Sequence, residues 1–196
     1  DLLENFFIRM LRGSGLKGLI SLNKKTINNN INLLRPLLDI KKNDLLFLSK
    51  YVFNFYVEDS SNKDAKYQRI RIRKLIQELG QEGLDKKKFV KTIDNLKCSN
   101  DVVNFYVEKN LKENTFFSSI RGKLILNKDF FKQPYEVTFR GFSDSIKLVG
   151  KKYYSVRGKK LDRIIYDIKN NKLSRGTLGG CIIEKVGQTV IISKEY

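Results

Sequence analysis

The apolar pattern of this chain changes character near residue 115, and that change limits the fold more than any other feature. Upstream, apolar residues recur at helical spacing: Ile72, Leu75, Ile76 and Leu79 stand at i, i+3, i+4 and i+7. Downstream, Phe116, Phe117, Leu124, Ile125 and Leu126 fall in short runs that read as strands. A length of 196 residues suits one large domain or two small ones. The expected fold class is α+β, with a boundary near 113–118. Hydrophobic residues make up 41% of the chain, enough for packed cores. No apolar run approaches the ~20 residues of a membrane span. A membrane protein and a compositionally disordered tail are therefore set aside.

The elements follow from local signals. Residues 1–12 read as an amphipathic helix, with Leu2, Leu3, Phe6, Phe7, Met10 and Leu11 on one arc. Asp1, Glu4, Asn5 and Arg12 gather around the opposite direction, with Ile8 among them. Gly13 is positioned to end that helix. Residues 21–32 are polar and Asn-rich, and a loop is expected. Residues 33–40 contain Pro36, which bars a helix interior, so a short extended segment is expected. A helix from Asn43 or Asp44 to about Phe55 would bury Leu45, Leu48, Val52 and Phe55. Another begins at Asp64 or Ala65 and ends near Gly80. Residues 85–111 read as helical with a break at Cys98-Ser99-Asn100. Residues 137–149 and 159–168 look helical. The end reads as a hairpin of residues 177–184 and 188–194, turning at Val186-Gly187.

Charge narrows the partners. Lys+Arg is 39 against Asp+Glu 21, a net +18. A field of that sign attracts polyanions and opposes self-association. AT-rich coding would also load a chain with Lys, Asn and Ile, but it accounts for Lys better than for Arg. The absence of His removes every His-based general base, triad or zinc site. Cys98 and Cys181 form no CxxC pair, complete no four-ligand metal site, and suit a reducing, cytoplasmic compartment. No signal peptide is visible. Residue 1 is Asp rather than Met, so the chain is expected to begin inside a longer protein.

Two constellations can carry chemistry. Asp1 and Glu4 with Arg12 could share a helix face; carboxylates one turn apart can hold an ammonium, and equally they make a solvated surface. Gly13-Ser14-Gly15 follows, a turn that can present backbone N–H groups to a phosphate. The second is Glu58-Asp59-Ser60-Ser61-Asn62 feeding Tyr67-Gln68-Arg69-Ile70-Arg71-Ile72-Arg73. The planar guanidinium fork suits phosphate, although a capped surface helix would look the same. Tyr153, Tyr154, Arg157, Lys159 and Lys160 could likewise contact RNA or pack as a tyrosine pair among solvated lysines.

In order and spacing these blocks resemble the tRNA(Ile)-lysidine synthetase family. Asp1-Leu2-Leu3-Glu4-Asn5 is similar to DQxET of the family's HHxDDQxET, and Arg12-Gly13-Ser14-Gly15-Leu16-Lys17-Gly18-Leu19 to its RGSGxxGL. Arg35-Pro36-Leu37-Leu38 matches RPLL, residues 58–62 match EDxSN, and residues 67–73 match YxRNRIR. The strong part covers roughly the first 80 residues; Thr177-Leu178-Gly179-Gly180-Cys181 is a looser match to the C-terminal domain. Leu2, Asn5 and Ile70 depart from the pattern, and the nucleotide loop SGGxDS is absent.

The resemblance implies residues 1–84 as the C-terminal part of an α/β PP-loop nucleotide domain. Residues 85–114 would be a helical linker, and 115–196 a small α+β, tRNA-contacting domain. It implies ATP-dependent joining of lysine to C2 of the wobble cytidine of tRNA(Ile), with Mg2+ accompanying ATP. Asp1, Glu4 and Arg69 would be catalytic. Arg12, Gly13, Ser14, Gly15, Arg71 and Arg73 would bind nucleotide, phosphate or tRNA. No protein-held metal and no membrane are implied, and a homodimer is allowed. Without SGGxDS the chain alone is expected to be inactive. The alternative is a non-enzymatic RNA-binding remnant. A thiolase of the same superfamily would commonly need a cysteine pair, which is lacking.

Overall fold

The structure is a computed structural model. It describes residues 2–195 except 21, 29–30, 39, 58–63, 119–121, 153–155 and 157, and only the backbone of Ile27 and Asn28. The chain forms two compact units, residues 1–100 and 101–196. The division falls inside the long helix of residues Lys86–Asn114.

In the first unit, α1 (Leu2–Leu11) is followed by α2 (Leu16–Leu19). Gly13 ends α1 as expected. It adopts φ +68°, a left-handed value that favours glycine. The Ser14 N–H then reaches the Arg9 carbonyl at 3.0 Å and the Gly13 N–H the Met10 carbonyl at 2.9 Å. This double closure satisfies carbonyls the helix end would leave open. Next come β1 (Lys25–Asn28), β2 (Ile31–Leu34), α3 (Lys42–Tyr51), α4 (Gln68–Gln81) and α5 (Lys86–Asn114). The core holds Ile8, Ile20, Ile70, Ile72, Phe89 and Ile93. Phe6 meets Phe89 edge-on at 5.0 Å between ring centres, a favoured aromatic geometry.

The second unit is a five-stranded antiparallel sheet in the order β3-β4-β7-β6-β5. Its strands are β3 (Thr115–Ser118), β4 (Lys123–Leu126), β5 (Arg175–Leu178), β6 (Cys181–Val186) and β7 (Thr189–Lys194). Helices α6 (Tyr135–Gly150) and α7 (Gly158–Lys169) follow a 3-10 turn at Lys128–Lys132. Alternate residues of β4, β6 and β7 (Leu124, Leu126, Cys181, Ile183, Val190, Ile192) pack with Phe142, Ile146, Leu161 and Ile165 of the helices. Three asparagines tie the start of the 3-10 turn to α5. Asn110 Nδ2 donates to the Phe130 carbonyl at 3.2 Å, Asn114 Nδ2 to Asn110 Oδ1 at 2.8 Å, and Asn127 Nδ2 to Asn114 Oδ1 at 3.0 Å. Asn127 Oδ1 accepts from the Phe130 N–H at 3.0 Å, closing the circuit.

Several local expectations are corrected. The loop expected over 21–32 contains β1, which pairs antiparallel with β2, Lys25 opposite Leu34. The extended segment expected over 33–40 ends at Leu34, and residues 36–38 turn. Helix α5 runs through Cys98-Ser99-Asn100 without a break. Ser99 Oγ donates to the Asn95 carbonyl at 3.1 Å, so that polar group is satisfied inside the helix. The supposed long hairpin arm over 177–184 is divided by a turn at Gly179 and Gly180, with φ +65° and +76°. The stripe expected to be buried on α3 is not buried. Leu48, Val52 and Phe55 are exposed, as are Phe47, Tyr51, Phe53 and Val57.

Candidate functional site

The site is built where α4 lies along α1 with reversed direction. Ile8 on α1 and Ile70 and Ile72 on α4 are buried. Ile70, which departs from the polar residue of the motif, is thus a core residue. With these residues inside, the charged neighbours face two cavities of the first unit.

The larger cavity is about 890 Å³ and is lined by Glu4, Arg73, Lys24, Lys86, Asp94 and Lys97 among others. Arg73 Nε donates to Glu4 Oε1 at 2.7 Å, across 69 residues of sequence. The Glu4 side chain is 13% exposed and that of Arg73 38%. Arg73 uses one carboxylate oxygen, and an ionised carboxylate accepts further donors at the other. The ion pair fixes the Glu4 rotamer at the cavity wall.

The second cavity, about 430 Å³, is lined by Arg9, Arg12, Arg69, Asn5, Ser14 and Tyr67 among others. Three guanidinium groups line it and no described carboxylate does. Such a wall suits an oxyanion, for which each Arg offers a planar fork of donors.

The expected site residues are therefore divided. Glu4 and Arg73 come together. Arg12 and Arg69 come together elsewhere, with Ser14. Glu4 and Arg12 do not share one face as expected, because Arg12 lies past the last helical residue, in the turn closed by Gly13. Arg71 turns back on its own chain, donating to the carbonyls of Ala65 at 2.9 Å and Lys66 at 2.7 Å. It braces the entry to α4 and lines neither cavity. Asp1, Glu58–Asn62, Tyr153, Tyr154 and Arg157 lie outside the described residues. Gly13 and Gly15 shape the turn; nothing lies within 4 Å of a Cβ built on either. Arg9 is a site residue that sequence reasoning missed. Its spacing of three from Arg12 was the available signal, since that places both near one side of a helix end.

Residues 1–79 match the PP-loop domain family, so both cavities sit largely on PP-loop sequence. A tRNA(Ile)-lysidine synthase of Wolbachia sp. subsp. Brugia malayi (strain TRS) is 29% identical over 197 residues, covering 100% of this chain and 46% of that protein. The tRNA(Ile)-lysidine synthase of Orientia tsutsugamushi (strain Boryong) is 30% identical over 206 residues, with the same coverage. That of Wolbachia pipientis wMel is 28% identical over 196 residues, again with that coverage. Along its whole length, then, the chain is similar to tRNA(Ile)-lysidine synthases, the family its motifs resemble. It spans about half the length of the curated relatives it matches (46%). No described helix is long and apolar enough to cross a membrane.

Proposed function

We propose that this chain is part of an ATP-dependent tRNA-modifying enzyme that joins lysine to C2 of the wobble cytidine of tRNA(Ile). The observation that carries the reading is the Glu4–Arg73 pair at the wall of the larger cavity, within sequence that matches a PP-loop domain and along a chain similar throughout to lysidine synthases.

In this reading ATP adenylates the C2 oxygen of the cytidine, releasing diphosphate. The ε-amine of lysine then attacks C2, AMP leaves with that oxygen, and the amine gives up a proton. Glu4 receives the lysine ammonium and Arg73 holds Glu4 in place. Asp1 joins Glu4 by resemblance to the motif. Arg9, Arg12 and Arg69 hold a phosphate of the nucleotide or of the anticodon backbone, where negative charge moves during transfer. Mg2+ would enter with the triphosphate. Among the described residues no group of three or more His, Cys, Asp or Glu side chains could hold it.

The test is incorporation of labelled lysine into an unmodified tRNA(Ile) transcript by the full protein that carries this chain, with ATP. Incorporation that falls at least tenfold in Glu4→Gln supports the reading. Failure to incorporate lysine, under conditions in which a Wolbachia enzyme does so, refutes it. Persistent tRNA binding in that case would favour the RNA-binding remnant.

A further inference from the structure

The larger cavity of the first unit has a wall that the reading above does not use. It comes from α5, beyond the PP-loop match, which ends at residue 79. Lys86, Val90, Asp94 and Lys97 line the cavity from that helix. They follow at intervals of four, four and three residues, which places them along one side of it. Their neighbours fix the rotation of α5. Phe89 and Ile93 are buried, and Phe89 meets Phe6 of α1 edge-on and stacks on Phe7 with ring centres 6.1 Å apart.

The charges on this wall are ordered. Lys97 Nζ donates to Asp94 Oδ1 at 2.9 Å. The Lys97 and Asp94 side chains are 37% and 57% exposed, so solvent screens the pair and it rearranges at little cost. A carboxylate has a second oxygen and an ammonium two further N–H groups with which to meet a ligand. An anion beside a cation is the counterpart of the ammonium and carboxylate that a free amino acid carries on one carbon. Set against each other, the two pairs match, carboxylate to ammonium on both sides. Glu4 and Asp94 are the described carboxylates that line the cavity. Two carboxylates oppose a phosphate and suit a ligand with two ammonium groups, as lysine has. Leu3, Ile76 and Val90 line the same cavity and offer an apolar wall to a methylene chain.

The structure assigns Asp94 and Lys97 as specificity-determining residues for the amino-acid end of the substrate. Asp94 receives the α-ammonium and Lys97 the α-carboxylate, while Glu4 holds the side-chain ammonium. The inference rests on the reading under Proposed function, which supplies lysine as the substrate. It adds the means by which the site tells a free amino acid from a bare amine.

The experiment measures binding of three compounds to the full protein that carries this chain, by ligand-observed nuclear magnetic resonance. Lysine has all three charged groups, cadaverine lacks the carboxylate, and ε-aminocaproate lacks the α-ammonium. Asp94→Asn should weaken lysine and cadaverine about 5- to 20-fold, the range for one partly exposed charge-assisted hydrogen bond, and leave ε-aminocaproate within about twofold. Lys97→Gln should weaken lysine and ε-aminocaproate by the same factor and leave cadaverine within about twofold. Glu4→Gln should weaken all three. An Asp94 or Lys97 variant that weakens all three compounds alike, or none, overturns the assignment, because a collapsed or uninvolved wall does not discriminate among them. Failure of the wild-type protein to bind lysine overturns it as well. If the wild-type protein incorporates lysine into tRNA(Ile) and the pattern is missing, only this assignment falls; if it incorporates none, the lysine-joining reading falls with it.

Discussion

The ion pair between Glu4 and Arg73 can be tested by a double-mutant cycle. Its N–O distance is 2.7 Å, and the two side chains are 13% and 38% exposed. Fully exposed pairs measure about 0.2–1 kcal/mol, and removing one partner of a buried pair costs about 3–5 kcal/mol. A pair with one partner nearly enclosed belongs between, at about 1–2 kcal/mol of coupling. Arg73→Met keeps most of the aliphatic packing and deprives Glu4 of its partner. Glu4→Gln keeps shape and removes charge. The double variant removes both. Hydrogen exchange of the α1 and α4 amides reports the local opening free energy of these helices. The single Arg73→Met change should speed exchange about 5- to 30-fold, the equilibrium factor for 1–2 kcal/mol. Adding Glu4→Gln should cost little more. Strict additivity, with coupling below about 0.3 kcal/mol, would refute the claim that this pair joins α1 to α4.

Further outcomes follow from the second unit. A Cβ at position 150 would lie 2.5 Å from the Gly179 carbonyl oxygen and 3.0 Å from Cys181 Sγ. Gly150→Ala should therefore cost about 1–3 kcal/mol by overpacking and lower the calorimetric melting temperature by roughly 5–15 °C. Asn114→Ala opens the asparagine circuit and strips a partner from Asn110, which is 2% exposed. The loss should be about 1–3 kcal/mol in urea unfolding, and an unchanged midpoint would show that water replaces the bond. Desolvation, with the hydrogen bond to Asp162, pushes the Tyr135 phenol from its ordinary 10.0 up to about 12. Because the folded state holds this proton longer, its stabilising effect is present below pH 10 and is lost as pH rises toward about 12. An ultraviolet absorbance titration should show a late tyrosine component that Tyr135→Phe removes.

Much of this architecture was legible where periodicity and end signals agree. Helix α4 was read from its apolar spacing and the stop of α1 from Gly13, and residues 137–149 and 159–168 were read as helical, close to α6 and α7. Strand β1 and the start of β2 were not, because Lys and Asn are poor strand indicators and the pairing of Lys25 with Leu34 supplies what composition lacks. The break at residues 98–100 was a propensity argument, and burial of Ile93, Asn100 and Val107 along one helix overrides it. In the site, motif order brought Glu4 and the arginines into view. It could not say which arginine meets which acid, since that depends on α4 running against α1. Arg73 reaches the carboxylate, while Arg69, one turn earlier, reaches the end of α1.

The apolar residues of α3 and of the segment to Val57 that remain in contact with solvent bear on how this chain behaves in a tube. Electrostatic repulsion from a net charge of +18 keeps copies apart at low ionic strength. Raising salt to about 1 M shortens the screening length to roughly 3 Å and removes that protection, while hydrophobic attraction persists. A high-salt wash, the usual means of stripping nucleic acid from a basic protein, would therefore drive this one toward clumping through Phe47, Tyr51, Phe53 and Phe55.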